Sequence, residues 1–428
     1  MEVIGRGEPG RRISAEEAGQ IITQAAQGIA LEGRKVLVLI PDHTRTCPLP
    51  MIARGLRAAI APRAKRLDFL IALGTHQPLS EERIDKLLGI EPGRRGEALG
   101  DSRVFNHRWD DRSALAAVGT LSARQIERIT GGKFAMDVTV TINKMVLDYD
   151  IVLVACPVFP HEVAGFSGGA KYFFPGVCGE EMVNFFHWLA AVITNPRIIG
   201  VKDNPVRATL EAAADMVKVQ KLGLCMVVTD QELAGLYFGP LREAWSDAAD
   251  LSAKVHITYM ERTFSSVLSQ APPMYDDLWV GGKCMYKLEP VVADGGELII
   301  YGSHIREISH THGKIIRQIG YHVRDYYLGQ WDKFRKYPWG IMAHTALVRG
   351  VGTYENGVEK PRIKVTLATG IDEATCRKIN LGYRDPKTIN PEEWRDREAE
   401  GVVLIPKAGE HLYRLKDGSV PRIPGDVP

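Results

Sequence analysis

YDIVLVAC, Tyr149 to Cys156, is apolar at almost every position, and PHEVAGFSGGAK, Pro160 to Lys171, follows closely behind it. A strand with one wet face alternates apolar and polar residues. An unbroken apolar run belongs to a strand covered on both faces, the situation of parallel strands joined by crossover helices. KVLVLI (Lys35 to Ile40), RLDFLIAL (Arg66 to Leu73) and LGLCMVVT (Leu222 to Thr229) read the same way. Between them Ala15 to Leu31, Leu49 to Ala61, Ser80 to Leu88 and Pro205 to Val217 have helical spacing, the last opening with Asn204 as N-cap and proline at the first helical position. The class expected is α/β, with mostly parallel sheets flanked by helices.

The chain has 428 residues, more than one ordinary core organises, so two domains are expected. The pattern changes after Asp250, through KVHITY (Lys254 to Tyr259) to the turn-rich Ala271-Pro272-Pro273. We place an N-terminal domain at 1–262 and a C-terminal domain at 263–428, with the active site expected in the cleft between them. The second domain is expected to have strands at Asp277 to Val280 and Glu297 to Gly302, and helices at Lys283 to Val292 and Tyr326 to Lys336. The Gly- and Pro-containing tail after Pro406 is expected to run over the surface and pack back on the first domain.

Apolar residues make up 45% of the chain and charged ones 25%, the balance of a globular protein. Lys and Arg total 54 against 52 Asp and Glu, a surplus of +2 that supplies no phosphate-binding footprint, so nucleic acid is not an expected partner. The six cysteines are scattered without a C-x-x-C pair and read as reduced thiols. Met1 to Arg12 lacks the apolar core of a secretory signal, and no apolar run approaches the ~20 residues of a spanning helix, so a cytoplasmic location without membrane association is expected.

Ligands of open α/β sheets bind beyond the carboxyl ends of the strands, and three unusual clusters stand there. Asp42-His43-Thr44-Arg45, after KVLVLI, reads equally as an anion clamp and as a polar turn with Asp42 capping the next helix. Gly74-Thr75-His76 offers an imidazole able to serve as base or acid, although a lone histidine is more often structural. In Gly165 to Lys171, Ser167-Gly168-Gly169 lets backbone N–H groups approach an anion while Lys171 presents a nucleophilic amine; the rival reading is a generic glycine turn, and the spacing is not that of a P-loop. His187, among Phe185, Phe186 and Trp188 in a helix expected at Glu180 to Ile193, taken alone reads as a core histidine.

Together these stretches resemble the lactate racemase family, nickel-dependent racemases and epimerases of 2-hydroxy acids. The resemblance is strongest from Tyr149 to Arg207, through PHEVAGFSGGAKYFFPG (Pro160 to Gly176), His187 and TNPRIIGVKDNPVR (Thr194 to Arg207). It extends to DHTR (Asp42 to Arg45), GTH (Gly74 to His76), and Asn106 with His107. It implies a nickel pincer nucleotide cofactor, a pyridinium-3-thioamide-5-thiocarboxylic acid mononucleotide tethered to Lys171, with His187 as the protein's nickel ligand. Asp42, Thr44, Ser167, Gly168 and Gly169 are implied around the cofactor. His76 and His161 match the two histidines flanking the substrate carbon, and Arg45 and Lys283 the residues holding substrate carboxylate and oxygen. The implied partners are a small 2-hydroxy acid and the proteins that synthesise the cofactor.

The implied reaction inverts carbon 2 by reversible proton-coupled hydride transfer, each histidine being base for one enantiomer and acid for the other. Two alternatives are a nickel or zinc metallohydrolase using His76, His161 and His187 as ligands, and a non-catalytic cofactor-binding homologue. The chain departs from the family pattern at Thr46-Cys47, at Gln77, in a longer stretch from Gly89 to Arg103, and around Gly281-Gly282 before Lys283. His310-Thr311-His312 reads as a metal pair or as a surface or substrate-rim loop, the second being favoured.

Overall fold

The computed structural model describes residues 1–421. The chain divides into two compact units, one of residues 1–123, 137–183 and 207–256, the other of 124–136, 184–206 and 257–428, of which 422–428 lie outside the described residues. The expected division was a single boundary at 262/263; here 124–136 and 184–206, the latter including His187, go with the second unit.

In the first unit the strands are β1 (Ile4–Gly7), β2 (Lys35–Ile40), β3 (Arg66–Ile71), β4 (Val104–Asn106), β5 (Leu115–Leu121), β6 (Val138–Asn143), β7 (Ile151–Pro157), β8 (Pro160–His161), β9 (Gly165–Phe166), β10 (Gln220–Thr229) and β11 (Glu232–Pro240). Seven form one sheet in the order β1-β11-β10-β7-β2-β3-β4. From β10 to β4 neighbours are parallel, while β11 and β1 are added antiparallel. Every residue of β7 is buried, as the lack of alternation demanded. The helix Ala15–Gln27 begins with a capping box, Ser14 Oγ accepting from Glu17 N–H at 3.1 Å and the Glu17 carboxylate accepting from Ser14 N–H at 3.2 Å. It buries Ile21, Ile22 and Ala25 in the same core as Ile52 and Leu56 of the helix Leu49–Ile60. Beyond β2 the chain steps to β3 and β4; beyond β7 it steps the other way, to β10. The switch point therefore lies between β2 and β7, and the loops that leave these two strands open side by side.

The second unit has β12 (Ile257–Met260), β13 (Phe264–Gln270), β14 (Val292–Gly302), β15 (Gly352–Glu355), β16 (Val358–Pro361), β17 (Lys364–Thr369), β18 (Gly382–Tyr383), β19 (Val402–Ile405) and β20 (Leu412–Leu415). Its main sheet, β18-β17-β14-β13-β19, is parallel throughout. Its own switch point lies between β13 and β19. Three expectations are corrected here. Asp277 to Val280 is not a strand: Asp277 caps a short helix, Leu278–Gly281, by accepting from Val280 N–H at 2.9 Å. The helix expected at Lys283 to Val292 stops at Tyr286, and the one at Tyr326 to Lys336 is two short helices, Arg324–Leu328 and Trp331–Phe334. The tail supplies β20, which pairs with β12 of the second unit, and Arg414 is buried there, donating to the carbonyls of Pro196 and Ile199. No helix among the described residues is long and apolar enough to cross a membrane.

A buried carboxylate locks one end of the first sheet. Asp68, 0% exposed in the middle of β3, accepts from Arg103 N–H at 2.7 Å and from the Tyr149 hydroxyl at 2.6 Å, and is paired with Arg66. Asp68→Ala strands that N–H and phenol without an acceptor. We expect a loss of about 2–4 kcal/mol in unfolding free energy, measured by denaturant titration.

Candidate active site

The three sequence clusters meet at the switch point of the first unit. Asp42 leaves β2 buried at 4% exposure, and both its oxygens are engaged. Oδ1 accepts from the Thr44 hydroxyl at 2.6 Å and the Thr44 N–H at 3.1 Å, and Oδ2 lies 2.5 Å from Nδ1 of His76, which follows β3. Burial opposes the charge of Asp42, but the hydrogen bonds from His76 and Thr44 outweigh it and hold the carboxyl down to about 2. An ionised Asp42 can only accept, so Nδ1 of His76 carries a proton and the neutral ring keeps its lone pair on Nε2. The His76 side chain is 52% exposed, so this basic nitrogen belongs to a reachable ring.

His161, in β8, is buried and held the other way round. Its Nδ1 accepts from Val163 N–H at 3.1 Å, which leaves the proton of the neutral ring on Nε2, while the Glu162 carboxylate stands 3.5 Å from Nδ1. One histidine is thus set as an acceptor at Nε2 and the other as a donor.

The glycine loop is tied down by its own residues. Ser167 Oγ donates to Pro157 O at 2.8 Å and accepts from Phe159 N–H at 3.0 Å, so the hydroxyl ties the residue after β9 back to the end of β7 and the stretch before β8. Gly168 and Gly169 have φ of +76° and +61°, and a Cβ would fall 2.8 Å from Cys156 Sγ at the first and 2.8 Å from the Trp245 ring at the second. Their lack of side chains therefore serves close packing of the loop. Arg207, buried, donates to the carbonyls of Ala164 and Gly168 at 3.2 Å each and to that of Phe166. Its guanidinium lies 4.1 Å from the Trp245 ring centre, and Trp245 Nε1 donates to Ser167 O at 2.8 Å. Arg207 and Trp245 went unassigned in the sequence; the only signal was Arg207 at the end of the TNPRIIGVKDNPVR block.

Lys171 stands at the end of this loop, half-buried. Desolvation, helped by the positive charge of Arg45, brings its ammonium down to about 8, with Glu162 and Asp42 pulling the other way. Arg45 lies over the Phe159 ring at 5.7 Å. Asp42, Thr44, Arg45, His76, His161 and Lys171 are therefore gathered around one strand-end region of one unit. His107 is not part of it as a reactive group: fully buried, it donates from Nε2 to Cys178 O at 2.9 Å and accepts from Asn143 at 3.0 Å on Nδ1, and burial drives its pKa to about 4. Asn106 likewise pairs with both the N–H and the C=O of Leu79.

His187 and Lys283 belong to the second unit. His187, in the helix Glu180–Ile193, is half-buried between fully buried Phe186 and Trp188. Lys283 opens the helix Lys283–Tyr286 near the switch point of the second sheet, its Nζ 5.4 Å from the Tyr275 ring centre and its Cβ against Gly409 of the loop after β19. His310 and His312 do not form a pair. His310 is exposed, and its ring, Asp276 and Asp277 bring ligand atoms within 4.8 Å of one another; His312 packs on Trp279 with ring centres 4.5 Å apart. All six cysteines are free thiols.

Known proteins provide an independent comparison. The sequence profile of the lactate racemase N-terminal domain matches residues 18–198. Lactate racemase of Lactiplantibacillus plantarum is 22% identical over 272 residues, 62% of this chain and 59% of that protein. Lactate racemase of Thermoanaerobacterium thermosaccharolyticum is 24% identical over 287 residues, 65% of this chain. The matches span about three fifths of the length of these curated relatives. A crystal structure of a Thermotoga maritima protein is 32% identical with a TM-score of 0.80, covering 95% of this chain and 99% of that one. The lactate racemase apoprotein from T. thermosaccharolyticum superposes with a TM-score of 0.71 at 17% identity over 96% of this chain and 94% of that one, a likeness of fold. With the profile, the relatives and the strand-end residues in agreement, this chain belongs to the lactate racemase family.

Proposed function

We propose that the protein is a racemase or epimerase that inverts carbon 2 of a small 2-hydroxy acid. The observation that carries this reading is the pair of imidazoles each held at Nδ1, His76 by the Asp42 carboxylate and His161 by Val163 N–H beside the Glu162 carboxylate, in the unit that also presents Arg45 and Lys171. An inversion that runs both ways needs one group ready to take the hydroxyl proton and another ready to return it. Asp42 holds His76 in its tautomer and stabilises the imidazolium that forms when the ring takes a proton. Glu162 stands where it stabilises a charged His161. Arg45 offers a guanidinium for the substrate carboxylate, and Lys283 is assigned the substrate oxygen.

The cofactor of this reading is a nickel pincer nucleotide, with Lys171 as the point of attachment and His187 as the nickel ligand. The chain's residues fit such a group: an amine brought down to about 8 is a nucleophile near neutral pH, and a half-buried imidazole suits a borderline metal. When bound, the group supplies a hydride acceptor, chemistry no side chain of the chain provides. With Asp42 engaged by His76 and Thr44, and the Ser167 hydroxyl engaged by Pro157 and Phe159, these two side chains support the site by orienting other groups.

The decisive experiment supplies a panel of single-enantiomer 2-hydroxy acids deuterated at carbon 2 to the cofactor-loaded protein. Inversion with the label retained is expected; complete washout to water would sink the reading. Asp42→Asn, which removes the ionised acceptor, should lower both directions of inversion together, as the fixed equilibrium requires, by roughly 10²- to 10⁴-fold, and unchanged rates would remove Asp42 and His76 from the proton transfer. The depressed Lys171 has its own signature. Its neutral, reactive form grows as pH rises through about 8, so labelling by an amine-selective reagent, followed by peptide mass spectrometry, should be half-maximal there. Lys171→Ala should abolish any cofactor mass that survives denaturation.

A further inference from the structure

In the second unit lies a small cavity of about 10 Å³, lined by the polar Thr194, Asn195, Glu289 and Arg324 and by apolar residues such as Ala191 and Leu347. Glu289 is 0% and Asn195 2% exposed. Each has one oxygen with every protein partner out of reach, Oε2 of Glu289 and Oδ1 of Asn195, although their other polar atoms are well used. Glu289 Oε1 accepts from Val351 N–H at 2.7 Å, and Asn195 Nδ2 donates to Tyr286 O at 2.7 Å. Leaving two buried oxygens unpaired costs about 1–3 kcal/mol each, so a folded protein satisfies them with something.

The connections give the cavity a purpose. Asn195 follows the helix Glu180–Ile193, which carries His187, and its amide reaches the last residue of the helix Lys283–Tyr286, which begins with Lys283. Glu289 follows that second helix. The turn between is strained, because Thr194 has φ of +83°, a conformation a β-branched residue adopts only under compulsion from its surroundings. Arg324, which also lines the cavity, donates to Val192 O at 2.7 Å and so holds the last turn of the first helix.

We propose that one resident water molecule occupies this cavity, hydrogen-bonded to Glu289 Oε2 and Asn195 Oδ1, and that Asn195, Glu289 and this water form a lock that positions the His187 helix against the Lys283 helix. The volume admits a single water, and two oxygen acceptors match the donors that a water presents. Burial raises the Glu289 pKa, and a protonated carboxyl serves equally, donating to the water while the water donates to Asn195. Asn195 and Glu289 are positioning residues, since they act through the helices. What the lock is for rests on the roles proposed above for His187 and Lys283; its existence does not.

The test uses the full chain without cofactor. A high-resolution crystal structure should show one water within hydrogen-bond distance of both oxygens, and a rubidium soak should leave the cavity without an anomalous peak. A dry cavity or a bound cation would overturn the water. Hydrogen exchange reads the lock. Asn195→Ala should speed exchange in both Ala190–Ile193 and Lys283–Tyr286 by at least about tenfold. Asn195→Leu, which keeps the shape and removes the donor to Tyr286 O without adding a charge, gives the same readout if the alanine variant does not fold. Val365→Ala, a buried truncation in β17, should leave the ratio of exchange rates in those segments to the rest of the unit unchanged. Glu289→Leu should open both segments and the isosteric Glu289→Gln should restore them; unchanged exchange in the asparagine variants, or no rescue by glutamine, would remove the lock whatever the outcome of the racemisation assay.

Discussion

A guanidinium buried under a glycine loop is the interaction on which the first unit's site depends. Arg207 has lost its water and is held instead by three loop carbonyls, the Trp245 ring and, at 3.8 Å, the Glu211 carboxylate. Burial lowers its pKa to about 10, so it remains charged near neutrality. A charge placed this deep is tolerated only when its donors are satisfied, and here satisfying them fixes the path of Ala164 to Gly168. That path sets the direction in which Lys171 leaves the loop. It also places Ser167 where its hydroxyl joins Pro157 to Phe159, the residue over which Arg45 lies.

The same economy governs the two histidines. Neither tautomer is intrinsic to imidazole; each is imposed by what touches Nδ1, an ionised carboxylate in one case and a backbone N–H in the other. A third histidine, His107, shows the contrast. Sequestered from solvent and held at both nitrogens, it stays neutral and joins the strand-end loop of Asn106 to Cys178. Three histidines near strand ends, alike in sequence, are thereby held in three different ways by their neighbours, two at Nδ1 alone in the contacts described and one at both nitrogens.

In the second unit the parallel sheet brings the loops after β13 and β19 together, so that Lys283 packs against Tyr275 and Gly409. Its helix is only one turn long and has little stability of its own. Its placement comes from outside, from Asn195 at its carbonyl end and from Cys284, whose thiol donates to Ala408 O at 3.3 Å. The same asparagine ends the helix of His187, so the two elements share a single buried joint.

Sequence alone determined the four central strands of the first sheet, β10, β7, β2 and β3, and the loops that follow them, while the outer strands β1, β11 and β4 lacked so plain a pattern. KVLVLI and YDIVLVAC have no polar face, and a strand without one has a single solution, burial between helices in a parallel sheet. The family likewise was legible, because FSGGAK, His161, His187 and DHTR stand in order along the chain. Short apolar runs were not: LWV after Asp277 satisfies a strand and a capped helical turn equally, and only the tertiary fit of Asp277 to Val280 N–H and to His310 N–H chose the turn. What Ser167, Gly168 and Gly169 do was also beyond the sequence, since a glycine that makes room for an anion and one that makes room for Trp245 are the same residue. The tautomers of His76 and His161 and the embrace of Arg207 were decided by tertiary structure alone, because each depends on atoms brought within 3.5 Å from distant parts of the chain or by the local fold of a loop, and hydrogen bonding has no reach beyond that distance.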